Sequence, residues 1–209
     1  MNPSAPDLAA LAARVGALGR VRRRVVVGIA GAPGAGKSTL AGALVASLGA
    51  DAVLVPMDGF HLAGSELERL GRAARKGAPD TFDAAGYVAL LERLRANVTD
   101  VVYAPEFRRE IEEPVAGAIA VPPGARFVVT EGNYLLMGQH PFDRVRPLLD
   151  EAWYLDLPDA LRRERLVARH IAYGRSDAEA RRFALGSDEE NARAIRATRV
   201  RADLVISGA

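Results

Sequence analysis

Nine residues, Gly31-Ala32-Pro33-Gly34-Ala35-Gly36-Lys37-Ser38-Thr39, narrow the possible folds more than any other stretch of the sequence. They match G-x-x-x-x-G-K-[ST] in full, between an apolar β-branched run, Val25 to Ala30, and a helical pattern, Lys37 to Leu48, which is the setting this pattern needs. Glycines let the backbone curl until successive N–H groups and the helix N-terminus face one centre of negative charge. On this reading the run from Gly31 to Thr39 cradles nucleotide phosphates, with Lys37 reaching the β- and γ-phosphates and Ser38 offering its hydroxyl to Mg²⁺. The plain alternative is a glycine-rich turn followed by a chance Lys-Ser.

The rest of the chain continues the alternation. Val53 to Pro56, Val101 to Ala104, Phe127 to Thr130, Trp153 to Leu157 and Asp203 to Ile206 read as strands, and Asp7 to Leu18, Ala84 to Ala96 and Asp159 to Ala172 as helices with apolar residues three and four apart. Strands that are almost wholly apolar are buried on both faces, and helices between them make parallel crossovers. The expected fold is α/β: a doubly wound, mainly parallel sheet sandwiched by helices, the P-loop nucleoside triphosphate hydrolase fold. One domain over residues 1–209 is expected, with an N-terminal helix at about 7–18, a hairpin insertion at about 107–122 and an Arg-rich helical lid at about 160–187. Gly117 and the Pro122-Pro123-Gly124 turn bracket the hairpin.

Composition removes several classes. There is no cysteine, and His61, His140 and His170 are far apart, so a metal must be held by oxygen. No apolar run approaches the roughly 18 residues of a membrane-spanning helix, and the first residues lack a signal peptide's pattern; the expected location is the cytoplasm, with no membrane partner. A formal charge of +2 with interspersed signs argues against nucleic acid, and Arg22-Arg23-Arg24 reads as the solvated edge of a strand. Of 28 basic residues only Lys37 and Lys76 are lysine. A lysine kept in so Arg-biased a chain marks a place where a compact ammonium must fit.

Phosphoryl transfer to an alcohol needs a group that takes the hydroxyl proton in line with the γ-phosphate. Asp58, after Val53 to Pro56, stands where a strand end would deliver one; the alternative is a turn or helix-capping aspartate. Glu131, after Phe127 to Thr130, reaches the same carboxyl edge and could hold metal or acceptor, or simply accept loop N–H groups. Arg162, Arg165 and Arg169 fall on one helical face, with Arg163 and Arg175 nearby. They could close over phosphates and exclude water, or form an ordinary solvated helix.

Taken together, the 31–38 run, Met57-Asp58-Gly59-Phe60-His61, the 75–83 segment, Tyr103 with Arg108, and Glu131-Gly132-Asn133-Tyr134 resemble the uridine kinase, phosphoribulokinase and bacterial pantothenate kinase group of P-loop kinases. The similarity runs from about Val25 to Ile206. It is nearest to a bacterial nucleoside/nucleotide kinase-like branch, also described as fructose-transport-system kinases. The resemblance implies that Asp58 is the catalytic base, that Lys37 and Ser38 handle ATP phosphates and Mg²⁺, and that Glu131 lies near metal or acceptor. It also places His61 and Asp83 at the substrate, Tyr103 and Arg108 in the acceptor pocket, Arg169 and Arg175 in the lid, and Asn191 near the adenine. Ala104 to Arg109 lacks the histidine that uridine and pantothenate kinases carry after the tyrosine, so the reaction carries over and the acceptor stays open.

The expected activity is therefore ATP- and Mg²⁺-dependent transfer to a hydroxyl of a small polar metabolite: a sugar, a nucleoside or a pantothenate-like alcohol. The protein would be a monomer or homodimer. The alternative is a P-loop nucleotide hydrolase acting as a regulatory switch, or a nucleotide-binding module.

Overall fold

The computed structural model describes residues 7–96 and 99–208. Helix α1 (Leu8–Leu18) begins at Asp7, whose carboxylate accepts from the Ala10 N–H at 3.0 Å, and β1 (Val25–Ala30) and α2 (Lys37–Leu48) follow. Then come β2 (Ala52–Leu54), α3 (Gly64–Arg69), α4 (Ala84–Arg95), β3 (Val102–Arg108), β4 (Glu113–Val121) and β5 (Phe127–Gly132). The chain continues through β6 (Glu151–Asp156), α5 (Asp159–Ala172), α6 (Asp177–Leu185), α7 (Ser187–Arg196) and β7 (Leu204–Ser207).

Among the described residues, five strands form a parallel sheet in the order β2-β5-β1-β6-β7. β1 and β5 are buried along their whole length. Because strand side chains alternate, these apolar strands supply two cores at once. Val25, Val27, Ile29, Val129, Trp153 and Leu155 pack with Leu11 and Val15 of α1 and Leu40 and Leu44 of α2. Val26, Ala30, Val128, Ala152 and Tyr154 pack on the other face with Tyr87, Leu91 and Leu94 of α4. The strand order changes direction at β1, so the carboxyl ends of β2, β5 and β1 stand together where open α/β sheets bind ligands.

Three expectations change. The strand expected at Val101 to Ala104 leaves the parallel sheet, runs on to Arg108 and pairs antiparallel with β4 as a separate ribbon. Its burial explains this: Val102 and Ala104 are buried while Tyr103 is exposed, the pattern of a ribbon covered on one face. The hairpin thus starts at Val102 rather than near 107. Its register shifts between Ala104 and Glu106, and beyond that shift Phe107 turns inward while Arg108 is exposed.

Arg22 and Arg23 are exposed as expected, but Arg24 is buried. Its guanidinium donates to Ala125 O at 2.8 Å, Pro122 O at 2.9 Å, and Leu94 O and Pro123 O at 3.1 Å, joining the end of α4 to the turn before β5. The lid segment, finally, is built with α7 as well as α5 and α6. A capping box formed by Ser176 and Glu179 starts α6.

A buried arginine locks these helices to the glycine-rich loop. Arg162, only 1% exposed, donates to Pro33 O at 3.4 Å and pairs closely with Glu189 of α7, which also accepts from Arg163 at 2.9 Å. The Arg163 and Arg162 hydrogen bonds hold the Glu189 carboxyl down at about 2 against burial. Removing one partner of a buried pair strands the other, so Glu189→Ala should cost about 3 kcal/mol and lower the thermal midpoint by about 6–12 °C. A depressed carboxylate pKa stabilises above the unfolded value and loses that contribution as pH falls toward the folded one. The gap between wild type and variant should therefore narrow below about pH 4.5, which thermal melts across pH will check.

Among the described residues no helix is long and apolar enough to cross a membrane.

Candidate active site

The loop between β1 and α2 is shaped by glycine at the points of closest approach. Gly34 has φ +82°, and a Cβ there would stand 2.7 Å from both Arg162 O and Leu166 Cγ of α5. α2 begins at Lys37 with Gly36 as its cap and no side-chain capping bond, which leaves its first N–H groups for a ligand. Lys37 is buried and donates to Asn133 Oδ1 at 2.8 Å and Ala32 O at 3.3 Å. Burial lowers its pKa, while Glu131 and Asp58 favour the charged form.

Ser38 donates to Glu131 Oε1 at 2.9 Å. Glu131, at the end of β5, is buried; that burial, with Asp58 nearby, raises its pKa against Lys37 and the Ser38 hydrogen bond. A hydroxyl beside a buried carboxylate is an all-oxygen donor set suited to Mg²⁺. Among the described residues there is no cluster of three or more His, Asp or Glu that could cage a metal. Mg²⁺ characteristically needs no such cage, because phosphate oxygens and water complete its shell.

Asp58 lies in a short 3-10 turn, Met57–Phe60, just after β2. The turn packs against β3 so tightly that a Cβ on Gly59 would lie 2.3 Å from Pro105 O. Arg109 Nη2 sits 3.4 Å from Asp58 Oδ2. His61 Nδ1 is 2.7 Å from the Asp58 carbonyl; a carbonyl only accepts, so Nδ1 carries the proton and Nε2 is left as an acceptor in the neutral ring. Burial lowers the His61 pKa, which favours that neutral form, against the pull of Asp58 toward the charged one. The ring is flanked by Phe82 at 4.0 Å and Phe107 at 4.7 Å between centroids.

One cavity of about 430 Å³ joins these groups to the lid. Its lining includes Lys37, Ser38, Asp58, His61, Glu131 and Asn133, together with Arg169, His170, Tyr173 and Arg175 of the lid segment and Lys76, Phe107, Arg109 and Glu112. Burial, followed by repulsion from Arg109, lowers the Arg169 pKa. Arg175 stacks 3.7 Å over the Phe183 ring and donates to His170 Nδ1 at 3.4 Å, while His170 Nε2 bonds Asp188 at 2.9 Å. A second, mainly apolar hollow of about 470 Å³ opens beside Ala35, Gly36, Thr39 and Leu40, bounded also by Leu8, Ala43, Leu155, Arg165 and Gly208.

Of the residues singled out in the sequence, Pro33, Lys37, Ser38, Asp58, His61, Glu131, Arg169, Arg175 and Asn191 line the 430 Å³ cavity. Asn191 donates to Gly77 O at 3.4 Å, beside Tyr134, whose hydroxyl bonds the same carbonyl; it is absent from the lining of the apolar hollow. Asp83, Tyr103 and Arg108 lie outside the cavity lining. Asp83 caps α4 by accepting from Gly86 N at 2.8 Å, Tyr103 is 57% exposed, and Arg108 pairs with Glu106 at 3.5 Å. Arg109, Lys76, Asn133, His170 and Tyr173 line the cavity as well, without a role expected from the sequence. Lys76 alone had a usable signal, its rarity.

No family model matches the chain. A Schizosaccharomyces pombe protein that carries the name of a uridine kinase is 39% identical over 163 residues, 73% of this chain and 69% of that protein. The ATP-dependent kinase-like protein notR' of Aspergillus versicolor is 37% identical over 125 residues, 56% of this chain and 73% of its own length. A solved structure from Silicibacter sp. TM1040, named for a fructose transport system kinase, superimposes with a TM-score of 0.85 at 41% identity, covering 95% of this chain and 98% of that one. With the loop, the parallel sheet and these relatives in agreement, the chain belongs to the uridine kinase-like group of P-loop kinases.

Proposed function

We propose that this chain, as one kinase domain over residues 1–209, transfers the γ-phosphate of ATP to a hydroxyl of a small polar metabolite such as a sugar, a nucleoside or a pantothenate-like alcohol. The observation that carries the reading is the position of Asp58. It shares one cavity with Lys37, Ser38 and Glu131, yet among the described residues its carboxylate is engaged by Arg109 alone, at 3.4 Å. A carboxylate so placed can accept a proton, whereas the loop residues beside it are arranged to hold phosphate.

In this reaction the acceptor O–H gives its proton to Asp58 and its oxygen bonds to the γ-phosphorus. The bond from that phosphorus to the β–γ bridging oxygen breaks, and ADP leaves with the electron pair. Lys37, Arg169 and Arg175 hold the phosphate charge in place, and the lid keeps water out. His61 Nε2 is available to accept a hydrogen bond from a hydroxyl. When bound at Ser38 and Glu131, Mg²⁺ supplies charge neutralisation for the phosphate oxygens. The apolar hollow beside Thr39 suits the nucleobase, in preference to the polar surroundings of Asn191. The kinase names of the relatives favour transfer over hydrolysis.

The test is ADP release from Mg-ATP across sugars, nucleosides, pantothenate and glycerate, with products identified by mass spectrometry. At least one acceptor should raise release by about tenfold or more over water and gain one phosphate. A flat panel with steady ATP hydrolysis would replace this reading with a nucleotide hydrolase.

A further inference from the structure

Two cations, Lys76 and Arg109, line the cavity beside Phe107, and the carboxylates that face them, Glu112 at 4.0 Å and Asp58 at 3.4 Å, are held only at long range. Lys76 Nζ lies 5.0 Å from the centre of the Phe107 ring, and the Arg109 guanidinium 5.8 Å from the same centre. Both side chains are largely covered, 24% and 35% exposed, and both line the cavity. In the kinase reading Lys37, Arg169 and Arg175 serve the triphosphate, and Arg109 stands near enough to repel both Lys37 and Arg169. Each cation gives up hydration where it is covered beside the ring, a cost that a bound anion offsets.

The existing counter-charge at Lys76 is weak. Glu112 is 61% exposed, with Oε2 4.0 Å from Nζ, a loose rim pair of the kind that contributes little. Lys76 also donates to the Glu112 carbonyl, which fixes the stem and leaves the ammonium further donors. Lysine at this position, in a chain with only two, suits a compact charge meeting a compact anion.

We infer that the acceptor is a hydroxyl compound bearing a carboxylate or phosphate monoester, and that Lys76 and Arg109 hold that anionic group while the hydroxyl faces Asp58. The hydroxyl chemistry rests on the kinase reading; the anion site does not. Since Arg109 also faces Asp58, an acceptor that draws the guanidinium toward its own charge leaves the Asp58 carboxylate freer to take the proton.

The experiment is calorimetric titration of the full chain, saturated with Mg²⁺ and the non-hydrolysable imido analogue of ATP, with matched probes: glycerate against glycerol, gluconate against glucitol, and fructose 6-phosphate against fructose. At least one anionic member should bind about 10- to 100-fold tighter than its neutral partner, the range for hydrogen bonds to charged groups. Lys76→Met should reduce that preference to about threefold or less, and Lys76→Arg, which keeps the charge but not its compact shape, should restore only part of it. Preference confined to the acids identifies a carboxylate, and preference confined to the sugar phosphate identifies a phosphate ester. Equal binding of neutral and anionic members, no binding of any member up to about 10 mM, or a preference that survives Lys76→Met would overturn the inference. Selective binding of anions with no phosphorylated product from Mg-ATP leaves the anion site standing and removes the kinase reading. Turnover of neutral acceptors alone does the reverse.

Discussion

Asp58→Asn is expected to slow phosphoryl transfer by about 10³-fold, inside the 10²–10⁴ span attributed to a positioned general base. Nucleotide affinity should stay within about threefold, because the base acts on the acceptor and not on ATP. Asparagine keeps the shape and an oxygen for Arg109 but cannot accept the hydroxyl proton at neutral pH. The turn is held without the Asp58 carboxylate, by the His61 N–H and ring Nδ1–H donating to the Asp58 carbonyl and by Gly59 against Pro105, so the substitution leaves the geometry in place. Single-turnover transfer with the best acceptor, beside nucleotide-analogue titration, separates the two effects. A variant within tenfold of the wild-type rate would remove Asp58 from the mechanism.

Lys37→Met is the second large expectation, with transfer lowered by about 10²–10³-fold, the loss typical of one preorganised group acting on transition-state charge. The thermal midpoint should move little, since desolvation is the dominant influence on the buried Lys37 charge and an unbranched apolar side chain of similar length removes that cost, offsetting the lost hydrogen bonds. The loss falls on Asn133 and Ala32, which give up a donor, and on Glu131 and Asp58, whose charge Lys37 offsets. A lysine that served only to pack the loop would show the opposite pattern, with a lower midpoint and normal turnover in the protein that stays folded. Melting curves and single-turnover rates on one preparation distinguish the two.

The parts of this molecule that could be read from its sequence are those whose cause is local. β1, the glycine-rich loop and α2 follow one another without interruption, so the pattern and its setting lie in adjacent residues. Asp58 and Glu131 were readable because one follows a short apolar strand and the other lies at the end of one, and parallel strands deliver their carboxyl ends to one edge. Arg109 was not readable, since its placement depends on the register shift between Ala104 and Glu106. An uninterrupted alternation from Val102 would have kept the even-numbered positions inward and favoured Arg108. Asn191 shows the other limit: α7 brings it to Gly77 across 114 positions of sequence, and no periodicity encodes such a contact. Arg24 looked like the rest of a basic run, and only the carbonyls converging from α4 and the 122–125 turn distinguish it.

Both lysines of the chain line one cavity, and this has a use in chemical labelling. On most proteins an amine-directed acylating reagent scatters over many surface ammonium groups and reports little. Here, α-amino groups aside, the reagent has only the cavity to enter, and the surface arginines are inert to it. The more open Lys76 and the deeply covered Lys37 would mark its two halves separately, so peptide mapping of the adducts becomes a direct record of which half a bound compound shields.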